Sequence, residues 1–180
     1  MLLDASRSLL LVVDIQERLL PAMEEAPRVV AAAAKLMKAA ARLGVPVLVS
    51  EQYPKGIGAT VPALGALAPT GSVFAKMTFS CADTQAIADA VAASGRTQLV
   101  LCGIEAHVCV LQTALGFAAR GLGVAVAWDA TASRRESDRA LAADRLRQAG
   151  VVLVSTEMVL FEWLGRAGTP EFKDMLALIK

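Results

Sequence analysis

The chain has 180 residues, room for one domain of ordinary size. Hydrophobic residues make up 56% and charged residues 19%, which excludes a disordered chain and permits a large core built from Ala, Val and Leu. Lys plus Arg number 18 against 17 Asp plus Glu, and a net charge of +1 with 4% aromatics gives no basic, stacking surface for nucleic acid.

Residues 8–13 (SLLLVV) are apolar throughout rather than alternating, as expected of a strand buried on both faces of a parallel sheet. Asp14 cuts the run short, and Asp4 and Arg7 precede it, so neither a signal peptide nor a membrane span is expected there. A helix is predicted over 26–43 (APRVVAAAAKLMKAAARL), closed by Gly44. The second strand is 45–50 (VPVLVS), followed directly by Glu51, Gln52 and Tyr53. Residues 56–75 carry no charge, but Pro62, Pro69 and four glycines break them into loop and short helix. At their end 72–75 (SVFA) reads as a weaker strand before Lys76.

Ser80 to Asp83 has the Ser-x-x-acid form of a capping box opening a helix over 84–93, with Gly95 closing it. The fourth strand is 98–102 (QLVLC); Gly103-Ile104-Glu105-Ala106-His107-Val108-Cys109 then runs into a helix over 108–120. The fifth, 124–128 (VAVAW), precedes Asp129, Ser133, Arg134 and Arg135, and the sixth is 151–155 (VVLVS). Thr169, Pro170 and Glu171 supply an N-cap, an N1 proline and a first-turn acid for a helix over 172–180. Strands separated by helices predict right-handed βαβ crossovers and a three-layer α/β/α sandwich, with no repeat and no linker: one domain over 1–180.

In an open parallel sheet, ligands bind outside the carboxyl ends of the strands, where the strand order reverses. Asp14, Lys76 and Cys109 each follow a predicted strand. Near the start of a helix, Cys109 is expected to have its thiol pKa lowered by the dipole and by a nearby lysine, while an aspartate takes its proton. The three form an acid/base, cation and nucleophile set if strands one and four are neighbours, as in the order 3-2-1-4-5-6. One histidine in the chain excludes zinc sites with two or three imidazoles, so no metal is expected.

Asp14 with Gln16, Lys76 in Phe74-Ala75-Lys76-Met77-Thr78-Phe79-Ser80, and 103–109 ahead of Gln112-Thr113 together resemble the isochorismatase-like cysteine hydrolases. Glu51 to Gly56, Asp129-Ala130 with Ser133-Arg134, and Pro170 to Lys173 are similar to their isochorismatase domain-containing branch. The resemblance covers nearly the whole chain. It implies a six-stranded parallel sheet, a catalytic triad of Asp14, Lys76 and Cys109, and a cis peptide between Ile104 and Glu105. It also implies an oxyanion hole made by the backbone N–H groups of Glu105 and Cys109. The implied activity is hydrolysis of a small amide or carbamoyl C–N bond through a thioester, without a cofactor.

Two departures narrow the substrate. Nicotinamidases carry metal-binding aspartate and histidines after the second strand, where this chain has Glu51, Gln52 and Tyr53. Isochorismatases proper have a small residue in place of Cys109.

Gln16, Tyr53 and His107 are candidate substrate-binding residues. Ser133 and Arg134 are candidates for a substrate carboxylate, or for a solvated face or subunit contact. Cys102 is expected in the core, and Cys81 on a helix surface or the pocket rim. An odd set of three cysteines fits a reducing cytoplasm. The expected partners are a small-molecule substrate and further copies of the same chain, with no nucleic acid and no membrane. The competing reading is a catalytically idle scaffold subunit.

Overall fold

A computed structural model describes residues 1–179; Lys180, the end of the helix expected over 172–180, lies outside the described residues. Six strands, β1 (Ser8–Val13), β2 (Val47–Gln52), β3 (Val73–Lys76), β4 (Gln98–Ile104), β5 (Gly123–Ala132) and β6 (Val152–Val154), form one sheet. Its order is β3-β2-β1-β4-β5-β6 and every pair is parallel, the three-layer α/β/α arrangement with the order reversing beside β1.

The period-2 geometry of the central strands sorts their side chains into two cores. Leu10, Val12, Val49 and Val100 pack on one face against α1 (Ala26–Leu43), α7 (Thr156–Leu164) and α8 (Pro170–Ile179). Leu9, Leu11, Leu99 and Leu101 pack on the other against α4 (Gln85–Ala93), α5 (Leu111–Ala119) and α6 (Glu136–Gln148). Every residue of β1 and β4 is buried, hence their unbroken apolar runs. Each such Leu or Val contributes about 1.5–3 kcal/mol through the area it removes from water. Two short helices, α2 (Pro54–Ile57) and α3 (Pro62–Gly65), break up the connection between β2 and β3, in which Lys55 is the one charged residue.

Gly103 lets the two central strands meet at their carboxyl ends. It adopts φ +127°, and a Cβ there would stand 2.0 Å from the Val13 carbonyl oxygen. No other residue type fits that position.

Three local expectations are corrected. Ser80 caps only a short 3-10 turn over Cys81–Asp83, accepting from Ala82 N–H, while Thr84 stands ahead of α4 without a side-chain cap. The segment expected to open as an α-helix at 108 forms a π-helical turn over Ala106–Val110, and α5 starts at Leu111. The fifth strand runs to Ala132 through a bulge: Leu101 pairs with Val126 but Gly103 pairs with Thr131. Asp129 lies in that bulge and accepts bonds from the Thr156 N–H (2.7 Å) and hydroxyl (3.0 Å), holding the start of α7. Thr169 does cap α8, accepting from Phe172 N–H at 3.1 Å.

Candidate active site

The alternation that fills the second core places Leu48, Ser50 and Gln52 of β2, and Phe74 and Lys76 of β3, on the face that carries Cys109. Polar residues replace apolar ones only where these rows reach the carboxyl edge. Asp14 ends β1 in a left-handed conformation, φ +52°, which aspartate tolerates. Its carboxylate lies alongside β2 and reaches the lysine of β3.

Asp14 Oδ2 stands 2.8 Å from Lys76 Nζ, with both side chains fully buried. Asp14 Oδ1 accepts from the Ser50 hydroxyl at 2.7 Å. The Lys76 ammonium donates to Gln52 Oε1 at 2.5 Å and to the carbonyls of Thr78 (3.2 Å) and Phe79 (3.1 Å). Four oxygens thus surround the ammonium, and Asp14 Oδ2 is its charged partner in a buried ion pair. Carboxylate and ammonium thus stand side by side out of water, each compensating the charge of the other.

The Cys109 sulfur lies 4.0 Å from Gln52 Oε1 in the same pocket, and the residue is 5% exposed. Burial, reinforced by the negative charge of Asp14, pushes its thiol up to about 12, against a weaker downward pull from Lys76. The expected lowering is therefore reversed. Cys109 sits in a π-turn under cover, not at the open first turn of an α-helix, and desolvation outweighs the cation. The resting group is a neutral thiol beside a carboxylate.

The Ile104–Glu105 peptide is cis. The Glu105 carboxylate is buried and bonded to the backbone N–H (3.0 Å) and Nε (3.0 Å) of Arg134, whose guanidinium is largely exposed. His107 Nδ1 lies 2.9 Å from the Ser133 hydroxyl, and Nε2 stands 4.0 Å from Asp138.

Gln16, expected to line the pocket, is fully buried and committed to the chain itself. Its amide accepts from Gln52 N–H (2.7 Å) and donates to the carbonyls of Gln52 (3.0 Å) and Gly58 (2.7 Å). Tyr53 is 47% exposed at the end of β2. Cys81 is not on a surface or rim but fully buried, where burial and the Asp14 charge raise its thiol pKa.

Gln52 and Ser50 are the residues that sequence reasoning missed. Only their two-residue spacing at the end of a strand pointed to a shared face. Among the described residues no cluster of His, Cys, Asp or Glu has the makings of a metal site, and no helix is long and apolar enough to cross a membrane. A separate cavity of about 240 Å³ between α1 and α7 is lined by Arg28, Lys35 and Glu157 and shares no residue with this site.

The family model for the isochorismatase domain matches residues 8–158. Isochorismatase domain-containing protein 2A of Mus musculus is 40% identical over 96% of this chain and 82% of its own length. The structure of the MAR1 ribonuclease from Caenorhabditis elegans superposes with a TM-score of 0.94 at 36% identity, covering 99% of this chain and 92% of that one. The YcaC gene product of Escherichia coli, described as an octameric hydrolase of unknown specificity, superposes with a TM-score of 0.90 at 27% identity over 99% and 87% of the two chains.

Proposed function

The chain belongs to the isochorismatase domain family, and from that premise we propose that it is a cysteine hydrolase of small amide or carbamoyl C–N bonds. The observation that carries this reading is the buried Asp14–Lys76 ion pair, 2.8 Å apart, in one pocket with the Cys109 thiol.

In this mechanism the Cys109 sulfur attacks the substrate carbonyl carbon while its proton passes to Asp14 Oδ2. The oxyanion is received by the backbone N–H groups of Glu105 and Cys109, donors of a kind worth roughly 3–4 kcal/mol each in the transition state. The C–N bond then breaks, and Asp14 returns the proton to the leaving nitrogen. Water attacks the thioester, Asp14 takes its proton, and collapse of the second intermediate releases a carboxylic or carbamic acid. The departing sulfur recovers the proton from Asp14. Lys76 keeps the carboxylate and the transient thiolate from being two uncompensated charges.

The exposed Tyr53, Val73, Met77 and Phe79 lie on or beside edge strand β3, and with the octameric bacterial hydrolase they support assembly into a homo-oligomer. Three free, buried cysteines support a reducing, cytoplasmic setting.

The test is ammonia release from a panel of small amides, ureides and carbamoyl compounds. The native protein should turn over at least one of them, and Cys109→Ala should lower that rate by roughly a thousandfold or more. Equal rates would remove Cys109 as nucleophile. Because the Caenorhabditis elegans relative is described as a ribonuclease, the panel includes single-stranded RNA. RNA cleavage that requires Cys109, with no amide turned over, would replace the amide reading.

A further inference from the structure

We propose that Cys81 and Cys109 form a redox modification site, at which a hydroperoxide oxidises Cys109 and Cys81 closes a reversible disulfide onto it. The inference rests on the reading of Cys109 as a nucleophile. It gives a role to Cys81, a fully buried thiol that no step of the hydrolysis uses.

The turn that holds Cys81 is pressed onto α5, just beyond Cys109. Cys81 N–H donates to Thr113 Oγ1 at 2.9 Å. A Cβ on Gly116 would stand 2.8 Å from Ala82 Cβ and 3.1 Å from Ser80 Oγ, so the missing side chain is what lets the turn come this close. Thr113 and Gly116 follow Cys109 by one and two turns and share its face of the helix. From the sheet, Ser50 and Gln52 point into the same space, two residues apart on one side of β2.

The Cys81 thiol faces the hydroxyls of Ser50 and Thr113, and the Cys109 sulfur lies 4.0 Å from Gln52 Oε1. The two thiols thus occupy neighbouring places along the same strand and the same helix, with Asp14 and Lys76 as charged neighbours of both. Neighbouring places on one side of a strand are about 6.6 Å apart, and disulfides span Cα separations of roughly 4.4–6.8 Å. Cys102 packs in the core on the opposite face of the sheet and has no access to either thiol.

Hydrogen peroxide is little larger than water and enters a pocket that admits a substrate carbonyl. The Cys109 sulfur attacks one peroxide oxygen while its proton passes to Asp14. The O–O bond breaks, and the departing hydroxide takes the proton from Asp14 and leaves as water. Cys109 is then a sulfenic acid, oxidised by two electrons. The Cys81 sulfur attacks the Cys109 sulfur, the S–O bond breaks, and the hydroxyl leaves as water with the Cys81 proton. Two thiols and one peroxide have become one disulfide and two waters. The nucleophile is masked until a thiol reductant restores it, as with transient disulfides in reducing compartments.

The experiment treats the native protein, Cys81→Ala and Cys81→Ser with hydrogen peroxide, then follows intact mass, peptide mapping and iodoacetamide labelling of Cys109. The native chain should stay a monomer, lose about 2 Da and join the peptides containing residues 81 and 109. Its labelling should slow roughly tenfold and recover with dithiothreitol. Both Cys81 variants should instead gain about 32 Da at Cys109, the sulfinic acid, and stay unlabelled after dithiothreitol. Circular dichroism checks that they are folded, and Cys102→Ala should behave as the native chain does. A native chain that gains about 32 Da at Cys109, or that peroxide leaves unchanged, would overturn the disulfide while ammonia release still tests the hydrolase reading. Loss of about 2 Da by the Cys81 variants would overturn the pairing. If iodoacetamide does not react at Cys109 even before oxidation, the cysteine reading and the disulfide fall together.

Discussion

The Cys109 thiol carries its proton at neutral pH because its surroundings contain more negative charge and less water than its position in the chain suggests. Burial first and the charge of Asp14 second push its pKa up to about 12, so the proton is not lost before a substrate arrives. Asp14→Asn should therefore separate two properties usually assumed to travel together. Turnover should fall roughly a thousandfold for want of a base. The alkaline limb of alkylation should nevertheless move to lower pH, because the charge that raises the thiol pKa has gone. Ammonia release checks the first effect, and the pH profile of iodoacetamide labelling at Cys109 checks the second. The same variant leaves Lys76 as an uncompensated buried cation and should lower stability by about 3–5 kcal/mol in urea unfolding.

At the scale of elements, the site depends on how closely β1 and β4 approach at their carboxyl ends. Gly103 permits that contact, and a methyl group there would meet the Val13 backbone at a φ that side chains rarely adopt. Gly103→Ala should cost more than about 3 kcal/mol, or prevent folding, in urea unfolding, whereas alanine at Gly121, with nothing within 4 Å, should cost much less despite its positive φ. The helix after β4 illustrates why boundaries mislead. Its composition suits an α-helix from the start, yet the residues next to Glu105 close a wider turn, with Val110 N–H bonding back to the Glu105 carbonyl. The wider turn carries Cys109 under cover, which is why the helix dipole does not decide its ionisation.

For the molecule as a whole, burial of cysteines makes stability depend on pH in a direction that can be worked out. Cys102 is completely buried and its thiol is pushed up to about 12 from an ordinary value of 9.0, by burial first and the charge of Asp129 second. Unfolded, that thiol ionises above pH 9.0; folded, it stays protonated until about 12. The stabilisation is complete below the lower value and is lost as pH rises between the two. Denaturant unfolding should show the native protein weakening from pH 9 upward. Cys102→Ala should cost about 1 kcal/mol at pH 7 and flatten that alkaline fall.

How much of this protein was legible beforehand follows from range. Buried strands write themselves as unbroken apolar runs, Gly44 and Thr169 mark helix ends through local backbone chemistry, and Asp14, Lys76 and Cys109 stand out because reactive groups interrupt apolar segments. All of these are properties of neighbours along the chain, and the strand order followed from them with the resemblance to a known family. The bulge that takes Asp129 away from the pocket, the enclosure of Cys81, the commitment of Gln16 to Gln52 and the protonated state of Cys109 belong to groups brought together from distant segments. Their energies arise from water excluded and from hydrogen bonds shared in three dimensions, quantities that exist only once the strands have met.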